Sequence, residues 1–524
     1  MSVILILSSI LTLLITSIYL ISTRKFNYWK KKNVPHLKPK LILGNYGDFL
    51  LMKKPNGLVV QEICQAFPNE PYIGAYYGTE PALIVQDAEI IKLITIQDFS
   101  YFNSREVGDH THKEDMSKNI FSTNGDRWKV VRQHMTPLFT SSKMKNMFHL
   151  IEKCSHEFER MLDREFKMSN VQEVRALTAR FTMDCIVSCG FGLDANTMGD
   201  NSKENPFTKL SNSIFEVSNL RFLAMQARNL WPSIFYGLGL RTFPKSIDDF
   251  FHELITNVFK QRQYTPTSRN DFVDLIMNWT KKDYLTADSF KHDKEKGSTK
   301  ISLKVDDKLL VAQCSIFFGA GHETSATTLS YTLFELAKNP EAQKRAIEEV
   351  DAYLLKNNNK LGYDCVTELP FLEACLDETL RLYPVLSVLT REVVEDYTLP
   401  TGLHLDKGVR IHLPLYHLHH NPDNFPEPEK YRPERFVGDE RKNIKPYTYM
   451  PFGEGGRTCI GMRFSKMQTL SGLVTFLKKY RVELAKGTSP TVEFEPRALV
   501  FISKNGINLQ MMEREGWEKR LFAK

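Results

Sequence analysis

Residues 3–22 contain no charged residue and no proline, and consist mainly of Ile, Leu, Val, Ser and Thr. Wound as a helix at ~1.5 Å per residue, this run is about 30 Å long, the thickness of a bilayer's hydrocarbon core. Five cations follow it: Arg24, Lys25, Lys30, Lys31 and Lys32. Positive flanks stay cytosolic, so the N-terminus is predicted to face a lumen and the rest of the chain the cytosol. A cleaved signal peptide would carry its charge before the apolar run and a small-residue cleavage site after it. Here the charge comes after and no such site is visible, so residues 1–23 read as a signal-anchor helix. Pro35 and Pro39 break any continuing helix, which makes 24–40 a basic, proline-containing linker and 41–524 the folded body. No other uncharged run reaches 18 residues.

The 524 residues are 42% hydrophobic and 25% charged, with 27 Gly and 24 Pro. That excludes collagen, a coiled-coil rod and a wholly disordered chain. Lys+Arg minus Asp+Glu is 69 − 62 = +7, too mild for such a length to indicate nucleic-acid binding. The 8 Cys form no C-x-x-C pair, which fits a reducing compartment rather than a zinc ribbon or a disulfide scaffold. Apolar residues recur at three- and four-residue spacing over 143–162, 171–189 and 462–477. Asn339-Pro340-Glu341 reads as N-cap, first position and acidic first turn of a helix through Leu355. The longest helix is predicted from about Val305 to Lys338. Strands are predicted at 82–85, 409–413, 482–485 and 498–502, and exposed loops at 286–302 and 358–362. The fold class is therefore mainly α with a minor β portion, in one large unit.

Near the C-terminus stands Pro451-Phe452-Gly453-Glu454-Gly455-Gly456-Arg457-Thr458-Cys459-Ile460-Gly461, directly before a helical pattern. A helix N-terminus offers free N–H groups and partial positive charge, which favour thiolate over thiol. Glycines let the backbone approach a flat ligand, and Arg457 could pair with an anionic group on it. Other readings compete. A glycine-rich loop before a helix often cradles phosphate, though neither G-x-G-x-x-G nor G-K-[ST] is present. A nucleophilic Cys needs a His base, and a buried inert Cys is the common fate of a lone cysteine. The loop alone leaves these open.

The string from Phe452 to Gly461, F-x-x-G-x-R-x-C-x-G, resembles the haem-binding loop of the cytochrome P-450 family. Further motifs match in the family's order, and the resemblance covers essentially the whole chain. It implies the family fold, with a long central helix over haem b (iron protoporphyrin IX) and, here, a single N-terminal transmembrane helix ahead of it. By the match, Cys459 is the axial thiolate ligand of the haem iron, and Phe452 and Gly461 belong to the cofactor loop. Ala320-Gly321-His322-Glu323-Thr324-Ser325 interrupts an apolar stretch and resembles the family's oxygen-activation motif. Ala320 and Gly321 would leave room for dioxygen, Thr324 would orient water, and Glu323 would help relay protons. His322 occupies a variable position and receives no role. Taken alone, the same string reads as a mid-helix Thr bonding back to a carbonyl.

Glu378 and Arg381 lie i, i+3 on one helix face. They match the family's E-x-x-R, completed by Arg435 of Pro433-Glu434-Arg435-Phe436, a structural brace for the Cys459 loop. Trp128 and Arg132 match W-x-x-x-R, whose role is to hold haem propionates. Arg391 and Arg457 match two further propionate contacts. His412, His417, His419 and His420 form a group whose spacing fits no zinc pattern.

The family's substrate-contact regions map to 105–121, 205–243, 309–324, 385–389 and 499–502. Most are apolar, which suits a lipophilic ligand. The stretch 128–147 looks most like insect microsomal members of the detoxifying clan. The resemblance thus implies a monooxygenase inserting one oxygen atom from dioxygen into lipophilic compounds such as plant toxins or insecticides. It places the protein in the endoplasmic reticulum membrane, with its catalytic body cytosolic. The alternatives are a haem-thiolate isomerase or dehydratase, and oxidation of endogenous hormones or fatty acids. No flavin or nicotinamide motif accompanies the body, so electrons would come from a separate NADPH-cytochrome reductase, with cytochrome b5 a second donor. Lys129, Lys442, Lys445 and Lys466 are candidate docking charges.

Overall fold

The computed structural model describes residues 2–293 and 297–523. Helix α1 (Ser2–Thr23) carries the apolar run. Its residues Val3–Thr23 have a mean hydropathy of 2.5, with the apolar side chains from Val3 to Ile21 exposed and only Ser22 at the foot buried, so the helix is long and apolar enough to cross a membrane. The following segment does not hang free as a linker. Trp29 is fully buried, and its Nε1 donates to the carbonyl of Ala75 at 2.8 Å, while the amide of Gly74 donates to Pro35 at 2.8 Å. Residues 29–36 are thus fastened to strand β1 (Tyr72–Tyr77).

The body is built on six helices that concern the site: α2 (Gly125–Met135), α3 (Ser141–Met168), α4 (Val174–Phe191), α5 (Asp307–Lys338), α6 (Pro370–Leu382) and α7 (Met462–Leu477). Helix α5 is apolar on all sides over most of its length, and such a helix must be buried on all sides. At ~1.5 Å per residue it runs about 48 Å. Asp306 caps it, accepting from the amide of Leu309 at 2.8 Å. Helix α4 lies against it, pinned by two hydroxyls: Thr178 donates to the carbonyl of Ala326 and Thr182 to that of His322, each at 3.0 Å. Asn339 does not cap the next helix. Its side chain turns back and donates to the carbonyl of Glu335 at 2.8 Å, closing α5 instead.

A four-stranded sheet follows the order β1, β2 (Glu80–Val85), β7 (Arg410–Leu413), β6 (Leu389–Glu392). Strands β1 and β2 are antiparallel with Tyr72 opposite Val85, β2 and β7 parallel with Ala82 opposite Arg410, and β6 and β7 antiparallel with Leu389 opposite Leu413. A three-stranded sheet joins β8 (Tyr480–Leu484), β9 (Asn508–Glu513) and β3 (Val171–Glu173). The pattern read as helical from residue 171 thus starts as a strand. Glu173 switches it to helix by accepting from the amides of Arg175 and Ala176.

Two further expectations are corrected. Residues 498–502 form no strand. Val500, Phe501 and Ile502 are buried, but the amide of Phe501 bonds the carbonyl of Val385, and pairing with the facing segment is confined to the single bridge Phe494–Ser503, where the amide of Glu495 donates to the carbonyl of Ile502 at 3.0 Å. The strand lies instead at β9, whose Met and Gln content gave no β signal, although its residues alternate between inside and outside. Of residues 286–302, expected as a loop, 286–293 and 297–302 belong to the paired strands β4 (Tyr284–Asp293) and β5 (Gly297–Lys304), and 294–296 lie outside the described residues. Leu285, Ala287 and Ser289 point inward and Tyr284, Thr286 and Asp288 outward, so a polar outer face had masked a period-two pattern.

Candidate active site

The Cys459 loop is shaped by its own backbone. The amide of Cys459 donates to the carbonyl of Phe452 at 2.8 Å, and that of Gly453 to Met450 at 2.9 Å. Gly455 has φ +68°, and a Cβ there would stand 1.7 Å from the carbonyl oxygen of Thr95, so no other residue fits. Helix α7 begins three residues beyond the cysteine. The Cys459 side chain is open to an internal cavity rather than to bulk solvent. Enclosure therefore dominates its titration: burial pushes the thiol up, although the Gly461 amide and the charges of Arg132 and Arg105 pull it back. This reverses the direction expected from the helix N-terminus alone, because the cavity wall is mostly apolar.

The cavity holds about 1640 Å³ of non-atom space, its mouth included. Ala320, Gly321 and Thr324 of α5 line it together with Cys459, Phe452 and Gly461. Ile186 of α4 packs directly on Gly321: a Cβ there would meet its Cδ1 at 2.5 Å. The Thr324 hydroxyl donates to the carbonyl of Ala320 at 2.6 Å, which leaves its oxygen able to accept a hydrogen bond from the cavity. Glu323 is not brought to this wall. It is buried on the α4 side in an ion pair with Arg175. His322 is buried beside it, bonded to the Ser211 hydroxyl at 2.8 Å.

The edge of the cavity is cationic. Arg105, Arg132, Arg391 and Arg457 all line it, Trp128 stands among them, and no carboxylate is in the lining. Burial pulls Arg391 down to about 10, and burial together with Arg391 and Arg132 pulls Arg105 down to about 9. Arg391 gives one hydrogen bond to the carbonyl of Thr390, and its buried Nε has no acceptor. Buried cations without a counter-charge are costly. This edge fits a dianionic ligand, as the two propionates of haem require, and the thiol fits its iron. Arg457 shares this edge and is also tied into the chain. Its guanidinium is spent on chain carbonyls, those of Asn103 (2.7 Å), Thr123 (2.6 Å) and Ile120 (3.2 Å), and it lies over the Trp128 ring at 4.4 Å.

The brace behind the loop, by contrast, holds a carboxylate among its arginines. Arg381 and Glu378, both fully buried, are joined by two bonds of 2.7 and 2.8 Å. Arg435 Nε stands 3.4 Å from Glu378, and its other end donates to the carbonyls of Pro426 and Glu427. Arg381 also donates to the carbonyl of His419 at 2.9 Å, and His419 Nε2 accepts from the amide of Met450 at 3.2 Å. His419 thus carries the brace into the cysteine loop, a role its sequence surroundings did not reveal. His412 is occupied elsewhere, between Tyr46 and Glu106.

Of the five substrate regions, 105–121, 309–324 and 385–389 reach the cavity, whereas 205–243 and 499–502 do not. Helix Asn219–Leu230 turns Leu220 and Leu223 outward, and Phe501 stacks on Phe494 in support of the Val385 segment. Phe139, Met144, Met147, Ile186 and Phe272 complete the wall.

The family model "Cytochrome P450" matches residues 35–510. Cytochrome P450 6B6 of Helicoverpa armigera is 35% identical over 508 residues, covering 97% of this chain and 98% of that protein. Cytochrome P450 6B1 of Papilio polyxenes is 36% identical over 509 residues (97% and 99%), and Cytochrome P450 6k1 of Blattella germanica 34% over 510 residues (96% of each). A cysteine loop, a central helix and a cationic edge around one cavity are what these likenesses require, and the chain belongs to the cytochrome P450 family, a monooxygenase with haem b as its cofactor.

Proposed function

We propose that the protein oxidises lipophilic foreign compounds, with Cys459 as the iron ligand and Thr324 as the residue that positions protons. The observation that carries this reading is that Cys459, Thr324 and an arginine edge without carboxylates share one largely apolar cavity. Haem held by a thiolate supplies oxygen activation, the sulfur pushing electron density toward O–O cleavage; this family is the standard instance of that effect. The chain's own residues do the rest. Arg105, Arg132 and Arg391 neutralise the propionates. Phe139, Ile186, Phe272 and Phe317 exclude water and bind apolar substrate surface. Thr324, held by Ala320, accepts a hydrogen bond from water and keeps a proton at its oxygen. Gly321 keeps the helix backbone open there. Glu323 would act from behind the wall, after leaving Arg175.

Electrons come from a redox partner reductase, and we assign NADPH as its source and cytochrome b5 as a second donor. Lys442 and Lys445 are exposed candidates for that contact, Lys442 in a solvent-screened surface pair with Asp439, while Lys466 is more covered in its pair with Glu373 and Lys129 is half-covered. The apolar α1 and the cations after it support anchoring in the endoplasmic reticulum membrane, with the body, residues 41–524, cytosolic. The relatives' insect origin and the apolar wall support foreign compounds over endogenous ones. Turnover of a panel of lipophilic plant toxins and insecticides, with and without the reductase, tests the reading. Product that requires reductase and NADPH supports it. Conversion of hydroperoxides without electrons would point to an isomerase or dehydratase. In Thr324→Ala, more of the NADPH consumed should appear as hydrogen peroxide, with product per NADPH falling about tenfold or more.

A further inference from the structure

The β4–β5 hairpin makes contacts that nothing in the haem motifs requires. Its register breaks between the pairs Asp288–Lys300 and His292–Ser298, so residues 289–291 of one strand face only residue 299 of the other. A bulge of this kind frees backbone groups from the ladder and re-aims a side chain. Here the freed groups go to α2. The amide of Phe290 and the hydroxyl of Ser289 donate to the two oxygens of Asp126, each at 2.7 Å. Lys129 Nζ donates to the carbonyl of Ser289 at 3.3 Å and lies over the Phe290 ring. The re-aimed side chain lands on Trp128. The two rings are parallel to within 9°, with centroids 6.2 Å apart. Phe99 meets both, at 5.3 Å from Trp128 and 6.1 Å from Phe290, and Arg457 covers the Trp128 ring at 4.4 Å.

We propose that Phe290, delivered by the hairpin bulge, is a positioning residue for the haem site that acts through Trp128. Trp128 lines the cavity, and Arg132 stands one turn further along the same helix. Fixing the ring of Trp128 and the first turn of α2 fixes both groups toward the ligand's carboxylates. Asp126 sets the height of the hairpin on the helix, and the aromatic stack sets the angle of the indole. The cost of losing the stack falls on retention of the ligand more than on the fold, because Phe290 is only partly buried and packs at the rim of the core. This inference rests on the haem reading of the cavity.

The test is the rate at which haem leaves the full-length holoprotein for an excess of apomyoglobin, measured beside the thermal unfolding midpoint. Phe290→Ala is expected to speed release about two- to tenfold, the range an aromatic pair spans, with the midpoint nearly unchanged. Phe290→Tyr should restore the slow rate and Phe290→Leu should not. Ser289→Ala removes one bond of the tether and should speed release about twofold, which keeps the proposal testable if Phe290→Ala folds poorly. A folded Phe290→Ala with the wild-type release rate overturns the proposal. So does rescue by Leu equal to rescue by Tyr, which would reduce Phe290 to packing volume. Wild-type protein that takes up no haem would overturn the haem reading itself and this inference with it.

Discussion

The molecule buries charge in two neighbouring places and treats it in opposite ways. At the brace, Glu378 answers Arg381 directly and Arg435 at 3.4 Å, and both arginines also donate to carbonyls of the segment leading to the cysteine loop. At the cavity edge, Arg105, Arg132, Arg391 and Arg457 repel one another with no carboxylate in the lining. A buried charge satisfied within the chain contributes to architecture; a buried charge left unanswered marks where a ligand of opposite sign belongs. The two clusters look alike in sequence, as scattered arginines, and differ only in what surrounds them.

The comparison breaks if the brace tolerates the loss of one member. Glu378→Ala strands two guanidinium groups in the interior and should destabilise the apoprotein by about 3–5 kcal/mol, read from urea unfolding. The edge should respond with the opposite sign. Arg391→Leu removes an unanswered cation, so the apoprotein should gain about 1–3 kcal/mol, while the holoprotein binds haem more weakly by a similar amount. Equal signs for these two variants in the apoprotein would erase the distinction.

A smaller effect sharpens the brace side. Burial holds His417, His419 and His420 at about 4, about 3 and about 4, against 6.5 in an exposed chain. They are neutral when folded, and the unfolded chain takes up their protons first. Their contribution is therefore complete above pH 6.5 and is lost as the pH falls below it, by up to about 1.4 kcal/mol per pH unit for each histidine. Urea titrations between pH 7 and 5 should show this slope. In His419→Gln, whose amide oxygen can still accept from Met450, the slope should shrink by one proton's share.

The residues that carry the chemistry were legible where their geometry is local. Trp128 and Arg132, Glu378 and Arg381, and the run from Phe452 to Gly461 keep in space the relations they have in sequence, because a helix turn or a glycine loop sets them. Roles that depend on distant chain were not legible. Nothing near Arg457 says that the carbonyl of Asn103, 354 residues earlier, absorbs its donors. Nothing near Glu323 says that Arg175 holds it away from the cavity. The hairpin escaped because its outer face is polar, and β9 because its strand is stabilised by two neighbours rather than by its own residues. In sequence Arg105 belongs to a substrate region, and only the convergence of elements places it with the other three arginines.

The most direct measurement is the carbon monoxide difference spectrum of the dithionite-reduced protein in its membrane fraction, for wild type and Cys459→His. A strongly red-shifted Soret band in the wild type, moved to the imidazole-type position in the variant, is the expected result and identifies Cys459 as the ligand. A wild-type band at the imidazole-type position, or no haem band in folded protein, would contradict a thiolate-held haem in this cavity.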